Sequence, residues 1–268
     1  MRGGGKQLNM ELIDHFHEHG WARLPQALSP GQTAAMREAV WHALADVGIH
    51  RDKPSTWTVE RPTHLQRLKK HPAFCAVPGP GVFAAIDTLL AGQFYEAAKN
   101  WGALFIAFPG KDAWHIPASG WHIDAKYTSP LRPPGGVKTL ALFGDVAPRC
   151  GGTQIVSGSH RLAHKWLKEN PPRREARSAD MRRLLCLHPY IRDLHTDGDP
   201  EERITRFMGR AEISNGIPLQ VIECTGSAGD VFLLHPLTLH VATTNTGQLP
   251  RFMLSGGVTT DMWGWGAP

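Results

Sequence analysis

The spacing of apolar residues divides the chain into a helical first part and a β-rich second part. In "NMELIDHFHEHG" the leucine, isoleucine and phenylalanine fall on one helical stripe, and Gly20 is a typical helix stop. A second helix is predicted from Ser29, a favourable N-cap, and Pro30, and a third covers residues 82–91. Between the first two helices, "GWARLPQAL" predicts a short strand followed by a turn.

From about residue 101 the pattern changes to short β-rich segments separated by glycine and proline. The eight segments are "WGALFIAFPG", "GWHIDAKY", "VKTLALFGDV", "GGTQIVSG", "IPLQVIECTG", "DVFLLHPL", "TLHVATT" and "RFMLSGGV". Together with the helical half they predict a mainly β barrel or sandwich with flanking helices, buttressed by the N-terminal ones. Residues 160–216 read as a helical, loop-rich insertion between two strands. Our hypothesis is that this insertion covers the mouth of a pocket.

Length and composition fit one globular domain over residues 1–268, with a helical buttress at about 8–100 and a core at about 101–260. No apolar run approaches the length of a membrane span, and the N-terminus lacks the apolar stretch of a signal peptide. We therefore expect a cytoplasmic protein with no membrane partner. The four cysteines have no CxxC spacing, which favours reduced structural thiols over a zinc ribbon or a thioredoxin-like site.

The formal net charge of +5 is spread along the chain. The densest basic run, "RREARSADMRR", would place its arginines on the solvated face of a helix and has no interleaved aromatic residues. We therefore expect no nucleic-acid partner. The surplus favours, weakly, an anionic small-molecule substrate. No pattern in the sequence indicates an oligomeric state.

Three His-x-Asp pairs occur, but two of them, "HRD" at 50–52 and "HTD" at 195–197, lie in turn-like contexts. In "SGWHIDAKY", strand alternation would put His122, Asp124 and Lys126 on one polar face opposite an apolar one. Two such side chains can converge on one metal ion, although the same pattern fits a surface strand. Lys126 would either contact an acidic group on the substrate or reach solvent from the end of the strand, and solvent is slightly favoured.

A metal site on this strand needs a third ligand. Two imidazoles and one carboxylate on one face of Fe(II) leave open positions for substrate and dioxygen chemistry. The segment "DVFLLHPLTLHVATTNTGQLPRFMLSGGV" offers His235 and His240. The residue types alone leave both histidines open.

This segment resembles the C-terminal motif of the phytanoyl-CoA dioxygenase family of Fe(II)/2-oxoglutarate oxygenases. The family has "HP", then a second histidine that binds iron, an asparagine five positions later and an arginine eleven positions later. His240, Asn245 and Arg251 have these spacings, so the resemblance favours His240 over His235. We expect Asn245 to stabilise the turn "TNTGQLP".

The resemblance covers about residues 8–258 and is weakest over 50–100 and 165–215. "CGGTQIVSGSHR" is similar to the family's strand that ends in Gly-Ser-His, with Ser157 where proline is common. "FHEHGWARLPQALSPGQ" is similar to the family's N-terminal helix and strand. The implied fold is a double-stranded β-helix, that is, a cupin-like jelly roll.

For the site, the resemblance implies that His122, Asp124 and His240 bind Fe(II). It also implies that Arg251 grips the distal carboxylate of 2-oxoglutarate, a role that suits a rigid guanidinium. Thr153 is expected to offer the cosubstrate a hydroxyl. The implied reaction uses dioxygen, converts 2-oxoglutarate to succinate and carbon dioxide, and hydroxylates or otherwise oxidises a small metabolite. Related halogenases have a small residue at the position of Asp124, so halogenation is not favoured.

Two alternatives stay open at the level of the sequence. One is a cupin-type metalloenzyme that has the three ligands but does not use 2-oxoglutarate. The other is a catalytically inactive jelly-roll protein that only binds its ligand. Neither alternative requires Arg251.

Overall fold

The structure is a computed structural model that describes residues 4–75, 77–95, 101–124, 135–169 and 178–260. The α-helices, in chain order, are α1 Gly4–His19, α2 Pro30–Ala45, α3 Pro72–Cys75, α4 Pro80–Leu89, α5 Ser159–Glu169, α6 Ser178–Leu185, α7 Pro189–Leu194 and α8 Pro200–Ile204. The strands are β1 Trp21–Leu24, β2 Ala103–Ala107, β3 Gly136–Leu142, β4 Gln154–Ser157, β5 Glu212–Ser214, β6 Ile217–Glu223, β7 Val231–Leu234, β8 His240–Val241 and β9 Arg251–Thr259. Two 3₁₀ helices, Pro54–Thr56 and His64–Lys70, lie between α2 and α3.

The N-terminal helices begin and end close to the residues that the sequence indicates. The Ser29 side chain caps α2 by accepting a hydrogen bond from the Gln32 main-chain N–H at 3.2 Å. Gly20 follows α1 with a φ of 76°, a left-handed conformation that glycine adopts without steric cost. The third predicted helix is α4, which lies two residues closer to the N-terminus than expected.

The strands form two antiparallel sheets, which confirms the predicted fold class. The larger sheet has the order β1-β7-β3-β9-β2, and the smaller has the order β5-β6-β4-β8. Apart from the β5–β6 hairpin, neighbours in each sheet are far apart in the chain, as in a jelly roll. β3, for example, pairs with both β7 and β9.

Alternation of side chains along the strands divides the core into layers. Val137 and Ala141 of β3 pack with the helices on the outer face of the larger sheet. Leu140 and Leu142 of the same strand face the interior between the sheets, where they meet Ile155 of β4. A third cluster lies on the other face of the smaller sheet and includes residues of the 160–216 segment.

The 160–216 segment contains α5 to α8 and also β5, a strand that the sequence did not predict. β5 is short and pairs only with β6, and its partly exposed residues lack the apolar alternation that marks a strand. The idea that this segment covers a pocket mouth stays a prediction, as does the division of the chain into buttress, core and insertion.

Arg203 organises this segment from the inside. The guanidinium, in a side chain that is 8% exposed, donates to main-chain carbonyls of Leu194, at 2.9 Å, and of Thr196. It also reaches the carbonyls of Ile116 and Pro117, both at 3.4 Å. One buried cation therefore connects the segment to the chain just before His122.

One stretch of the described residues, Pro72–Leu89, is long and apolar enough, by length and composition alone, to cross a membrane. It consists of α3 and α4, and three of its apolar residues, Val82, Ile86 and Leu89, are buried in the core beside the larger sheet. Such a stretch is weak evidence for a span, because core helices have the same composition. The four cysteines are free thiols, as predicted.

Candidate metal centre

His122 and His240 lie opposite each other in an antiparallel bridge. The main-chain N–H of each donates to the carbonyl of the other, at 3.1 and 3.0 Å, and the two ring centroids are 4.3 Å apart. The predicted strand "GWHIDAKY" is reduced to this bridge within its described residues, which end at Asp124. Trp121 and Ile123 are buried on either side of His122, and the Trp121 indole donates to the Pro117 carbonyl at 2.7 Å. These buried neighbours fix the backbone that carries the pair.

Asp124 completes a three-residue cluster. His122 Nε2 lies 3.6 Å from Asp124 Oδ1, and His240 Nε2 lies 3.6 Å from Asp124 Oδ2. The three potential ligand atoms all lie within 4.8 Å of one another. Two imidazoles and one carboxylate at this separation can bind one divalent ion and leave part of its coordination sphere open.

Each histidine is oriented by its own backbone. The Nδ1 of His122 is 2.8 Å from the Gly120 carbonyl, and the Nδ1 of His240 is 2.9 Å from the Thr238 carbonyl. A carbonyl can only accept, so Nδ1 carries the proton in both rings and Nε2 presents a lone pair to the cluster. This tautomer is the one that a metal ligand requires.

Burial and charge favour the ligand forms of these groups. Burial and the nearby Lys138 ammonium lower the pKa of His240 to about 3, so its imidazole is neutral at physiological pH. Burial alone would raise the pKa of Asp124, but the ion pair with the Lys138 ammonium holds it below its ordinary value. His240 therefore offers a neutral imidazole and Asp124 a carboxylate, and two histidines with one carboxylate are a donor set that fits an iron ion.

Lys138, which the sequence did not single out, also reaches this cluster. Its Nζ forms an ion pair with Asp124 Oδ2 and lies 2.9 Å from His240 Nε2. Lys138 is on β3, on the same face as Leu140 and Leu142, and therefore points between the two sheets. In the sequence, Lys138 stands out as the one charged residue of the segment "VKTLAL".

Arg251 is the first residue of β9, and its side chain is 4% exposed. Among the described residues its Nε has no hydrogen-bond partner, and Nη1 contacts only Met253 Sδ, at 3.4 Å. Burial, with a smaller contribution from Arg61, lowers the pKa of Arg251 to about 10. A buried guanidinium without an acidic partner among the described residues can hold an anion, because burying an uncompensated charge is costly.

Thr153 and Arg251 contact the same residue, Met253. The Thr153 hydroxyl is 3.6 Å from Met253 Sδ, the same sulfur that Arg251 contacts, and Thr153 is 5% exposed. Thr153 immediately precedes β4, and Ile155, two positions on, faces the interior between the sheets. Alternation places Thr153 on that interior face as well, so it can line a ligand pocket there.

Asn245 and His235 lie outside the cluster. The Asn245 amide donates to the carbonyls of Ala107 and Leu249, at 2.9 and 2.8 Å, and so holds the turn before β9, as predicted. His235 is buried 5.0 Å, ring to ring, from His160, in contact with α1 and α5 rather than with Asp124. Lys126, expected at solvent, lies outside the described residues.

The fold is similar to that of several solved structures. The carbocyclase SnoK, a non-heme alpha ketoglutarate dependent enzyme of nogalamycin biosynthesis, is 18% identical over 93% of this chain and 83% of its own, with a TM-score of 0.56. AviO1 from Streptomyces viridochromogenes is 15% identical over 95% of this chain and 96% of its own, with a TM-score of 0.57. The epimerase SnoN, solved with Fe3+, alpha ketoglutarate and nogalamycin RO, is 16% identical over 95% of this chain and 84% of its own, with a TM-score of 0.51.

At these identities the solved structures show a shared fold and no more. No curated protein matches the sequence significantly. The family profile described as Phytanoyl-CoA dioxygenase (PhyH) matches residues 16–253, which is most of the chain. The chain therefore belongs to the phytanoyl-CoA dioxygenase family.

Proposed function

We propose that the protein is a non-haem Fe(II)- and 2-oxoglutarate-dependent dioxygenase that hydroxylates, or otherwise oxidises, a C–H bond of a small metabolite. The observation that carries the proposal is the joint presence of the His122, Asp124 and His240 cluster and the buried Arg251. A cupin-type metalloenzyme would need only the first of these, and a binding protein would need neither.

In this proposal His122, Asp124 and His240 hold the iron, and Arg251 and Thr153 hold the cosubstrate. The Arg251 guanidinium would donate two parallel hydrogen bonds to the distal carboxylate of 2-oxoglutarate, and the Thr153 hydroxyl would add a third. When bound, iron with 2-oxoglutarate and dioxygen supplies the oxidising chemistry that releases succinate and carbon dioxide. The side chains orient the reactants, and the buried walls keep water away.

The oxidation that follows is expected to be a hydroxylation or a related step such as desaturation. The carboxylate of Asp124 occupies a ligand position that a halogenase would leave open for halide. Two of the similar structures are a carbocyclase and an epimerase, so enzymes with this fold catalyse different reactions. We therefore base the reaction class on the site and not on these neighbours.

For the substrate, we propose a small and preferably anionic metabolite. The net charge of +5 supports an anion, and Lys138 adds a cation beside the metal cluster. Residues 160–216 and 50–80, where the sequence is least like the family, are proposed to select it. Screening a metabolite library for compounds that stimulate succinate release would identify the substrate.

The test of the proposed function is an anaerobic titration with Fe(II) and 2-oxoglutarate. An oxygenase of this kind should develop a weak visible charge-transfer band that needs both components. Metal binding without the band would favour the cupin-type alternative. Absence of metal binding would favour the inactive binding protein.

A further inference from the structure

The Lys138 ammonium lies within the metal cluster. It is paired with Asp124 Oδ2 and donates to His240 Nε2 at 2.9 Å. Asp124 is its acidic partner among the described residues, and the Lys138 side chain is only 12% exposed. The lysine is therefore bound into the cluster and is not a surface side chain that happens to approach it.

The fold explains why the lysine reaches this place. β3 is a central strand of the larger sheet, paired with β7 on one side and β9 on the other, so the Lys138 backbone cannot shift easily. Its side chain points into the interior, and its neighbours on that face of the strand are the apolar Leu140 and Leu142. With apolar walls around it, the ammonium is stabilised by the cluster itself.

Metal and ammonium use the same atoms. A metal–imidazole bond is about 2 Å long and lies along the Nε2 lone pair. That lone pair of His240 accepts from Lys138, because the Nδ1 proton is committed to the Thr238 carbonyl. A divalent ion at this position would also repel the ammonium strongly in partly buried surroundings. Binding of the metal therefore requires the lysine to leave.

We propose that Lys138 is a built-in competitor for the metal. Its ammonium compensates the Asp124 carboxylate while the site holds no ion, which stabilises the empty site, and it must be displaced each time a metal binds. The consequence is a lower metal affinity than the same three ligands would have without it. This proposal rests on the metal site of the proposed function.

The test compares Mn(II) binding by chelator-treated wild type, Lys138→Met and Lys138→Gln in isothermal titration calorimetry. Both neutral variants should bind Mn(II) at least about tenfold more tightly, because the competing charge and its ion pair are gone. Lys53→Met, at an exposed position, is the matched control and should bind like the wild type. Two variants of different polarity are used so that a folding defect in one does not remove the test.

A second measurement compares melting temperatures without and with Mn(II). In the metal-free state Lys138→Met should melt at a lower temperature than the wild type, and saturating Mn(II) should raise its melting temperature by more than it raises that of the wild type. If the wild type binds Mn(II) and both neutral variants bind it equally or more weakly, the proposal for Lys138 is wrong but the metal site stands. A wild type that binds no Mn(II) would overturn the metal site and the proposed function with it.

Discussion

Two main-chain hydrogen bonds join His122 and His240. Each donates its N–H to the carbonyl of the other, and each directs Nε2 towards Asp124. The main-chain pairing of the two residues therefore sets the positions of both imidazoles. Substitution of one ligand should remove metal binding while leaving the fold in place.

His240→Ala should abolish iron-dependent succinate formation and reduce Mn(II) affinity by more than about 100-fold, because it removes one of three ligands. The control is His235→Asn, in which the amide oxygen can still accept the Leu237 N–H that His235 Nδ1 accepts at 3.1 Å. This control should keep most of the activity. The opposite ranking of the two variants would mean that His240 is not the ligand.

Asp124→Gly should severely reduce succinate formation and metal binding, since it removes the carboxylate between the two imidazoles. Asp52→Gly is a matched control with the same His-x-Asp spacing but at an exposed position, and it should retain wild-type activity. Activity would be measured as succinate release with saturating Fe(II). Wild-type turnover in Asp124→Gly would exclude Asp124 from the ligand set.

Arg251→Lys should raise the KM for 2-oxoglutarate by about tenfold or more, because an ammonium cannot make the paired hydrogen bonds of a guanidinium. Mn(II) affinity should stay unchanged in this variant, since Arg251 is not part of the metal cluster. Arg192→Lys, which is well exposed on α7, is the control. An unchanged KM in Arg251→Lys would place the cosubstrate elsewhere.

His160 should make folding stability depend on pH. Burial lowers its pKa to about 4, from 6.5, so the unfolded chain binds a proton more readily than the native state. The contribution of His160 to the free energy of unfolding is therefore fully present above pH 6.5. It falls as the pH drops from 6.5 towards 4, by up to about 3 kcal/mol. Burial also lowers the pKa of His235, which acts in the same direction.

Urea unfolding between pH 4 and pH 7 would measure this loss. His160→Gln is the informative variant, because its amide can still donate to the His17 carbonyl that His160 Nε2 contacts at 3.0 Å. The variant should have a flatter pH profile than the wild type. A profile as steep as that of the wild type would assign the effect to other groups.

The sequence predicted the elements that depend on local pattern. The cap at Ser29 and the short apolar run of β7 are local signals, and the structure has both. The three-residue β5 was missed, because it is a strand only by pairing with β6. Its own residues carry no periodicity to read.

The site was predictable to the extent that motif spacing reflects it. The family spacing favoured His240 over His235, and the structure places His240, and not His235, beside Asp124. Lys138 was missed because its meaning depends on which face of β3 is interior and on what β8 brings opposite. Neither is visible in "VKTLAL", where the pattern shows only one charged residue among apolar ones.

The buried guanidinium of Arg203 has a practical consequence for engineering. Arg203 donates to the Leu194 carbonyl at the end of α7 and to the carbonyls of Ile116 and Pro117 in the chain preceding His122. One side chain therefore connects these two stretches. Chimaeras that graft a foreign insertion onto this scaffold to change selectivity should therefore retain Arg203 and its carbonyl partners. Losing that single side chain would loosen the chain that leads to His122 as well as the graft itself.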